Sequence, residues 1–273
     1  MSIEWGSKMI KMVITDVDGT IVGKDEVLHP QMITFAKELK QRGIYYTIAT
    51  GRVDGLVQKY IQDMEIEIPY SACNGGTIGR KDEILYRKTI PLKELEPIID
   101  LADEMGMSLM YSIGGVESAY RFTEYVAAQQ KDYNRYHNPV GFTRKQWNTL
   151  QIEKLIVMAL HRDGSIGMIE ELCKKLPAEI GYKRYKDKAI DILPGDAAKE
   201  AGVRELAGMM NVRMEEVLFA GDDLNDVEAI KEAGIGVAVG NAQECAKLAA
   251  DYIALEHNYK GVMEAVRKYV TGE

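Results

Sequence analysis

Met9-Ile10-Lys11-Met12-Val13-Ile14-Thr15-Asp16-Val17-Asp18-Gly19-Thr20 (MIKMVITDVDGT, residues 9–20) is an apolar run that stops abruptly in acids and a glycine. Residues 9–15 are rich in apolar and β-branched side chains and read as a buried strand; Asp16 to Thr20 reads as the turn that ends it. Downstream, Met32, Ile33, Ala36 and Leu39 keep a helical spacing, and Gly43 stands where a helix C-cap falls. Ile44–Ala49 reads as the next strand, ending at Thr50-Gly51-Arg52, and Tyr70–Cys73 as a shorter one running into Asn74-Gly75-Gly76. The last third repeats the pattern. Ala197–Met210 reads as a helix, Val217–Ala220 as a buried strand, and Asp222-Asp223-Leu224-Asn225-Asp226 as a turn opening another helix. Ile235–Val239 and Asp251–Ala254 are short strands and Tyr259–Tyr269 a closing helix. Strands and helices that alternate in this way predict an α/β fold with a Rossmann-like parallel sheet covered on both faces.

The middle of the chain differs. A hairpin (Thr77–Gly79 with Ile84–Tyr86), helix Leu92–Met105 and strand Ser108–Ser112 lead to a polar, aromatic-rich stretch from Tyr120 to Trp147; strand Leu155–Leu160, helix Ser165–Leu176 and strand Gly181–Tyr185 follow. This predicts a discontinuous core domain (9–81 and 189–273) and an inserted α/β cap domain (82–188), of a kind suited to move over a cleft.

Composition limits the function. The 273 residues are 46% hydrophobic and 28% charged, too apolar for a disordered chain, and no run has the ~18 apolar residues of a membrane helix. The net charge of −8 argues against a non-specific nucleic-acid binder but not against an anionic small molecule, because a few local cations or a metal reverse the field in a cleft. Cys73, Cys173 and Cys245 are odd in number and form no CxxC pair, so they read as reduced thiols and neither as a disulfide framework nor as a zinc site. Met1 to Lys8 lacks a signal-peptide core, and a cytoplasmic setting is expected; no nucleic-acid or membrane partner is.

Ligands bind at the carboxyl ends of the strands in a parallel α/β sheet. This chain places Asp16 and Asp18, Thr50, Asn74, and Asp222 with Asp226 at that edge. So many carboxylates stay ionised together only beside a cation, which points to a hard, oxygen-preferring divalent ion, with magnesium the expected one. The spacing of two between Asp16 and Asp18 puts both on one side of a continuing strand, where one carboxylate attacks an electrophile and the other, protonated, donates to the leaving group. Asp222 and Asp226, four apart, can both face the metal; Asp223 and Asp226 also fit a helix capping box.

Asp16-Val17-Asp18-Gly19-Thr20 resembles the first motif of the haloacid dehalogenase superfamily of phosphatases. Ala49-Thr50-Gly51-Arg52 resembles its second, Lys199 its third, although Glu200 stands where glycine is usual, and Gly221 to Asp226 its fourth. Asn74-Gly75-Gly76 resembles a segment of the Cof-type branch, as does Asn258 to Val262, and the insertion sits where that branch carries a type 2 cap. The resemblance implies that Asp16 is a nucleophile that forms an aspartyl-phosphate and that Asp18 is the acid and then the base. It implies that Thr50 and Lys199 bind the phosphoryl group, and that Asp16, the Asp18 carbonyl, Asp222 and Asp226 hold magnesium. Gly51, Arg52, Asn74 and Asn225 are the further candidates for substrate binding, and Lys188 is the alternative if the third motif is misaligned.

The substrate implied is a small phosphorylated metabolite such as a sugar phosphate. Arg121, Lys131, Arg135, Tyr136, His137, Arg144 and Arg184 are candidate cap contacts; Tyr120, Tyr125, Tyr133 and Trp147 line a pocket or form cap core. Transfer of the phosphoryl group to a sugar hydroxyl would use the same intermediate. A phospho-acceptor module without turnover needs neither Asp18 nor a cap.

Overall fold

The computed structural model describes residues 9–161 and 164–272; Met1 to Lys8, whose sequence lacks a signal-peptide core, lie outside the described residues. The chain begins with β1 (Met12–Thr15), α1 (Pro30–Gln41), β2 (Tyr45–Ile48), α2 (Gln58–Asp63), β3 (Tyr70–Ala72), β4 (Thr77–Arg80) and β5 (Glu83–Arg87). The middle holds β6 (Ile90–Pro91), α3 (Glu96–Glu104), β7 (Ser108–Ile113), β8 (Val116–Ala119), α4 (Glu124–Tyr133), α5 (Arg144–Trp147), β9 (Gln151–Ile152), β10 (Lys154–Met158), α6 (Ile166–Cys173), β11 (Ile180–Tyr185) and β12 (Ala189–Pro194). The last part holds α7 (Lys199–Met209), β13 (Val217–Gly221), α8 (Val227–Glu232), β14 (Ile235–Ala238), α9 (Glu244–Ala249), β15 (Tyr252–Ile253) and α10 (Asn258–Val266).

Two compact units result. Unit 1 comprises the residues through Arg52, Val57–Tyr86 and the residues from Ala198. Its main sheet is parallel, in the order β15-β14-β13-β1-β2, as the alternating pattern predicts. β1 is an interior strand between β13 and β2, and all four of its residues are buried, so MVIT needs no alternation. β3 extends this layer through a parallel bridge between Ala49 and Ser71, then heads the antiparallel set β3-β4-β5. α1 starts at Pro30, where the missing N–H costs nothing, and ends before Gly43 at φ +74°, a left-handed turn that glycine adopts freely.

Unit 2 comprises Val53–Leu56 and Arg87–Ala197. Its antiparallel sheet runs β11-β12-β10-β7-β8. One face carries Leu109, Tyr111, Leu155, Val157, Ile190 and Ile192 and packs on Ile98, Ile99 and Ala102 of α3 and Ile166 and Ile169 of α6. Each fully buried aliphatic side chain contributes about 1.5–3 kcal/mol to that layer. Phe142 packs within 4.6 Å of Tyr111 and 5.5 Å of both Tyr120 and Trp147, so these aromatics are core.

The unit boundaries lie elsewhere than residues 82 and 188. The β4–β5 hairpin belongs to unit 1 through Tyr86, whose hydroxyl is hydrogen-bonded to Glu205 on α7. β12 is an interior strand of the unit 2 sheet, and the chain leaves that unit only after Ala197. Val53–Leu56 also belongs to unit 2, where the Gly55 N–H donates to the Gly115 carbonyl at 3.2 Å.

Candidate active site

The site is built where the strands of the unit 1 sheet end. β1 stops at Thr15, and the Asp16 N–H makes one more ladder bond, to the Ala220 carbonyl at 2.9 Å. The chain then turns, with the Thr20, Ile21 and Val22 N–H groups all donating to the Val17 carbonyl. Gly19 sits in this turn at φ +74°, and a Cβ there would lie 2.1 Å from Asp222 Oδ2. Only glycine lets the first and fourth motifs approach so closely.

Asp16 is 4% exposed, and Lys199, the first residue of α7, reaches its Oδ1 at 2.9 Å. The same ammonium lies 2.5 Å from Asp226 Oδ1. The other Asp226 oxygen accepts the N–H groups of Asp222 (2.8 Å) and Asp223 (3.0 Å). Asp226 is therefore the acidic member of a capping box with Asp223 and the second counter-ion of Lys199 at once. Asp222 Oδ1 accepts from the Thr20 hydroxyl at 2.9 Å.

Carboxylate oxygens of Asp16, Asp222 and Asp226 all lie within 4.8 Å of one another. One lysine faces three carboxylates, and the electrostatics show the shortfall. Burial pushes Asp16 well above the usual carboxylate range; Lys199 opposes that shift, while Asp226, Asp222 and Asp18 add to it. Burial, then Asp226, pushes Asp222 up to about 7 against the pull of Thr20 and Lys199. Burial works against the Lys199 charge, but Asp16 and Asp226 outweigh it, so the ammonium stands above its ordinary value. An all-oxygen donor set short of positive charge fits a hard divalent cation such as magnesium.

The Asp18 carboxylate has other partners. Arg52 donates from Nε to Asp18 Oδ2 at 2.7 Å and from Nη2 to Asp18 Oδ1, a bidentate pair. The strand alternation that would align Asp18 with Asp16 ends at Thr15, and the turn directs Asp18 toward the second motif instead. Behind the buried guanidinium stand Glu26, with Oε1 at 3.2 Å, and the Tyr60 hydroxyl at 3.3 Å. Neither Glu26 nor Tyr60 carries a motif signal in the sequence.

Thr50 is fully buried; its hydroxyl oxygen accepts the Arg52 N–H at 3.2 Å, and its carbonyl accepts the Asn74 N–H at 2.9 Å. Asn74 is held at φ +51° and accepts at Oδ1 from Asn225 Nδ2 at 3.1 Å. A Cβ on Gly51 would lie 3.2 Å from Asn74 Oδ1 and 3.6 Å from Asn225 Nδ2, so Gly51, Asn74 and Asn225 converge. Asn258 and Asn241 each donate to the Gly19 carbonyl at 2.7 Å and so brace the turn of the first motif. Lys188 lies in the β11–β12 turn of unit 2, its N–H on the Tyr185 carbonyl.

The family model for haloacid dehalogenase-like hydrolases matches residues 13–266. The chain is 25% identical over 273 residues to a 5-amino-6-(5-phospho-D-ribitylamino)uracil phosphatase of Bacillus subtilis, covering 99% of this chain and 100% of that one. It is 29% identical over 268 residues to a phosphoglycolate phosphatase of Methanopyrus kandleri, covering 95% and 97%. A haloacid dehalogenase-like hydrolase of Bacteroides thetaiotaomicron has the same fold, with a TM-score of 0.81 at 24% identity over 95% of this chain and 99% of that one. With its parallel sheet, its acids at the strand ends and a family match that spans nearly all of it, the chain belongs to the haloacid dehalogenase-like hydrolases.

Proposed function

We propose that this protein is a magnesium-dependent phosphatase that hydrolyses phosphate monoesters of small metabolites, sugar and polyol phosphates among them, through an aspartyl-phosphate on Asp16. The observation that carries this reading is the buried Asp16 carboxylate, fixed by Lys199 at 2.9 Å in a cluster of acids short of positive charge. Such a carboxylate is oriented for attack and disfavours its own ionisation until a cation arrives.

In the first step an Asp16 oxygen bonds to phosphorus, the ester P–O bond breaks, and Asp18 gives its proton to the departing alkoxide. In the second, water adds to phosphorus, its proton passes to the Asp18 carboxylate, and the Asp16–phosphorus bond breaks to release phosphate. Lys199 keeps Asp16 in register and places a cation beside the equatorial oxygens of the transferring group. The Thr50 hydroxyl proton and the amides of Asn74 and Asn225 supply hydrogen bonds at the same edge. Arg52 holds Asp18 with both carboxylate oxygens accepting; protonation of Asp18 exchanges one of those bonds.

Magnesium, when bound, lowers the charge of the phosphoryl group and of the cluster. Asp16 and Asp222 would hold it, with the Asp18 carbonyl, and Asp226 would stand behind them, its oxygens already engaged by Lys199 and two backbone N–H groups. Cys73, Cys173 and Cys245 form no disulfide, which suits a reducing, cytoplasmic setting.

The test is phosphate release from ribitol 5-phosphate, ribose 5-phosphate, glucose 6-phosphate, phosphoglycolate and p-nitrophenyl phosphate, with magnesium or with EDTA and with Asp16→Asn as the blank. Magnesium-dependent release that vanishes in Asp16→Asn is expected; release that survives that substitution overturns the reading.

A further inference from the structure

Two turns carry the acids of the candidate site, one after β1 and one after β13, and they meet where Gly19 and Thr20 touch Asp222. A third segment, residues 239–243 between β14 and α9, is bonded to both. On one side the Gln243 N–H donates to the Asp222 carbonyl at 2.8 Å, and Gln243 Nε2 donates to Asp223 Oδ1 at 2.6 Å. On the other side Asn241 Nδ2 donates to the Gly19 carbonyl at 2.7 Å. Asn258, which opens α10, donates from Nδ2 to the same carbonyl at 2.7 Å, and its own N–H donates to Asn241 Oδ1 at 2.8 Å. Asn241 and Gln243 carry no motif signal in the sequence.

These bonds fix the backbone around both turns. A carbonyl has two lone pairs, and the Gly19 carbonyl gives both to side-chain amides. That orients the Gly19–Thr20 peptide, whose Thr20 hydroxyl donates to Asp222 Oδ1 at 2.9 Å. The preceding peptide is held as well. The Gly19 N–H donates to the Val22 carbonyl at 2.9 Å, and because a peptide unit is planar, the Asp18 carbonyl is fixed with it. Asp222 is treated alike: its N–H donates to Asp226 Oδ2 at 2.8 Å and its carbonyl accepts from Gln243. The segment is itself supported from behind. The Gly240 N–H donates to the Glu256 carbonyl at 2.8 Å, and the Glu264 carboxylate accepts the Leu255 and Glu256 N–H groups at 3.1 and 2.9 Å.

We infer that Asn241, Gln243 and Asn258 are positioning residues for the divalent cation: together they set the spacing of the Asp18 carbonyl and the Asp222 carboxylate, and so how tightly magnesium is held. Magnesium demands near-ideal octahedral geometry, so turns free to drift apart would spend binding energy on being drawn together. Groups that orient metal ligands without touching the metal typically govern affinity about 10–100-fold. As bonds between exposed groups, each of these contributes only about 0.5–1.5 kcal/mol to stability, so their larger effect is on where the ligands stand. The inference rests on the proposed function for the identity of the cation and adds to it the residues that preorganise the site.

The experiment is calorimetric titration of magnesium chloride into the metal-free full chain, for the parent, Asn258→Gly, Asn241→Ala, Gln243→Ala and a control, Lys231→Gln, whose partner Glu228 is exposed. Glycine suits the φ of +49° at position 258, so Asn258→Gly removes the amide without straining the backbone. Gln243→Ala keeps the N–H to Asp222 and loses only the side-chain bond. Magnesium Kd is expected to rise about tenfold in Asn258→Gly and in Asn241→Ala, about threefold in Gln243→Ala, and not at all in the control. With p-nitrophenyl phosphate, raising magnesium should return kcat to near the parental value while KM stays within twofold. A merely structural role predicts the reverse: a lower metal-free Tm with an unchanged Kd. Kd values within twofold of the parent in every folded variant overturn the inference, and so does a kcat deficit that saturating magnesium does not repair. A parent that takes up no magnesium overturns the metal of the proposed function and this inference together. Because the titration uses magnesium alone, it judges these residues separately from the nucleophile: hydrolysis that survives Asp16→Asn refutes Asp16 and leaves the Kd values standing.

Discussion

Lys199→Met removes the one buried cation of the cluster while nearly keeping its volume. The ammonium sits 2.9 Å from Asp16 and 2.5 Å from Asp226, with the lysine and Asp226 side chains wholly buried. At an effective dielectric constant of about 20, such contacts correspond to roughly 6 and 7 kcal/mol of gross attraction. Most of that is offset by the desolvation of the three ions, so the gross figure does not measure stability. Breaking a buried pair costs about 3–5 kcal/mol, because the stranded partner stays in low dielectric. Two carboxylates are stranded here, which puts Lys199→Met at the upper part of that range in EDTA.

Denaturant unfolding of unit 1 checks this, with two internal controls. Magnesium should recover a large part of the loss, since a cation then faces the same carboxylates. Asp226→Asn in the Lys199→Met background should recover about half, because one stranded charge is gone while an amide oxygen remains for the Asp222 and Asp223 N–H groups. kcat should fall about 10²–10³-fold, as when one preorganised donor to developing charge is removed. A Lys199→Met protein within 1 kcal/mol of its parent in EDTA would refute the reasoning, since Lys199 would then not be the counter-ion that the fold relies on.

Gly19→Ala forces a Cβ to 2.1 Å from Asp222 Oδ2 at φ +74°; a loss of about 1–3 kcal/mol and weaker magnesium activation are expected, read by thermal melts and a metal titration of activity. In EDTA, Asp222 gives a pH signature. Its folded pKa of about 7 lies above the unfolded 3.8, so its contribution is full below about pH 4 and lost as pH rises through 7. Parent and Asp222→Asn should therefore diverge by a few kcal/mol between pH 4.5 and 8, at about 1.4 kcal/mol per pKa unit; parallel stability curves would contradict the shift. Arg52→Gln leaves Asp18 without its bidentate partner; kcat should drop about tenfold or more with KM less affected, and equal loss in both would assign Arg52 to ground-state binding instead.

Residues that directly follow a strand were legible, because a buried apolar run that stops at a polar turn marks its own end. Asp16 after MVIT, Thr50 after YYTI and Asp222 after VLFAG all follow from local sequence plus the rule that parallel strands share a carboxyl edge. What escaped is what register or distance decides. β12 reads poorly because Asp191 and Pro194 interrupt it, yet it is fully buried between β10 and β11. α4 buries only Val126, so its ten residues carry no apolar stripe to announce a helix. Asp18 and Arg52 are 34 residues apart, and nothing local tells that the arginine turns to the acid. Arg184, a candidate cap contact, turns to Glu170 of α6 and Asp187 instead, a strand parity that only its pairing with Ile190 reveals.

The two units treat buried charge in different ways. In unit 1 the carboxylates outnumber the cation, and burial together with the neighbouring Asp226 raises Asp222 to about 7. That imbalance is a standing demand for a divalent ion, and the stability it withholds from the metal-free protein returns as metal affinity. In unit 2 Lys154 and Asp191 are also buried, but there Lys154 and Lys183 stand against Asp191 and Glu117, so the charges balance. A fold selected only for stability would replace the buried acids of unit 1 with apolar side chains of similar volume, often at no cost. Their persistence around a single lysine is in keeping with the proposed role of this cluster in holding a cation and a phosphoryl group.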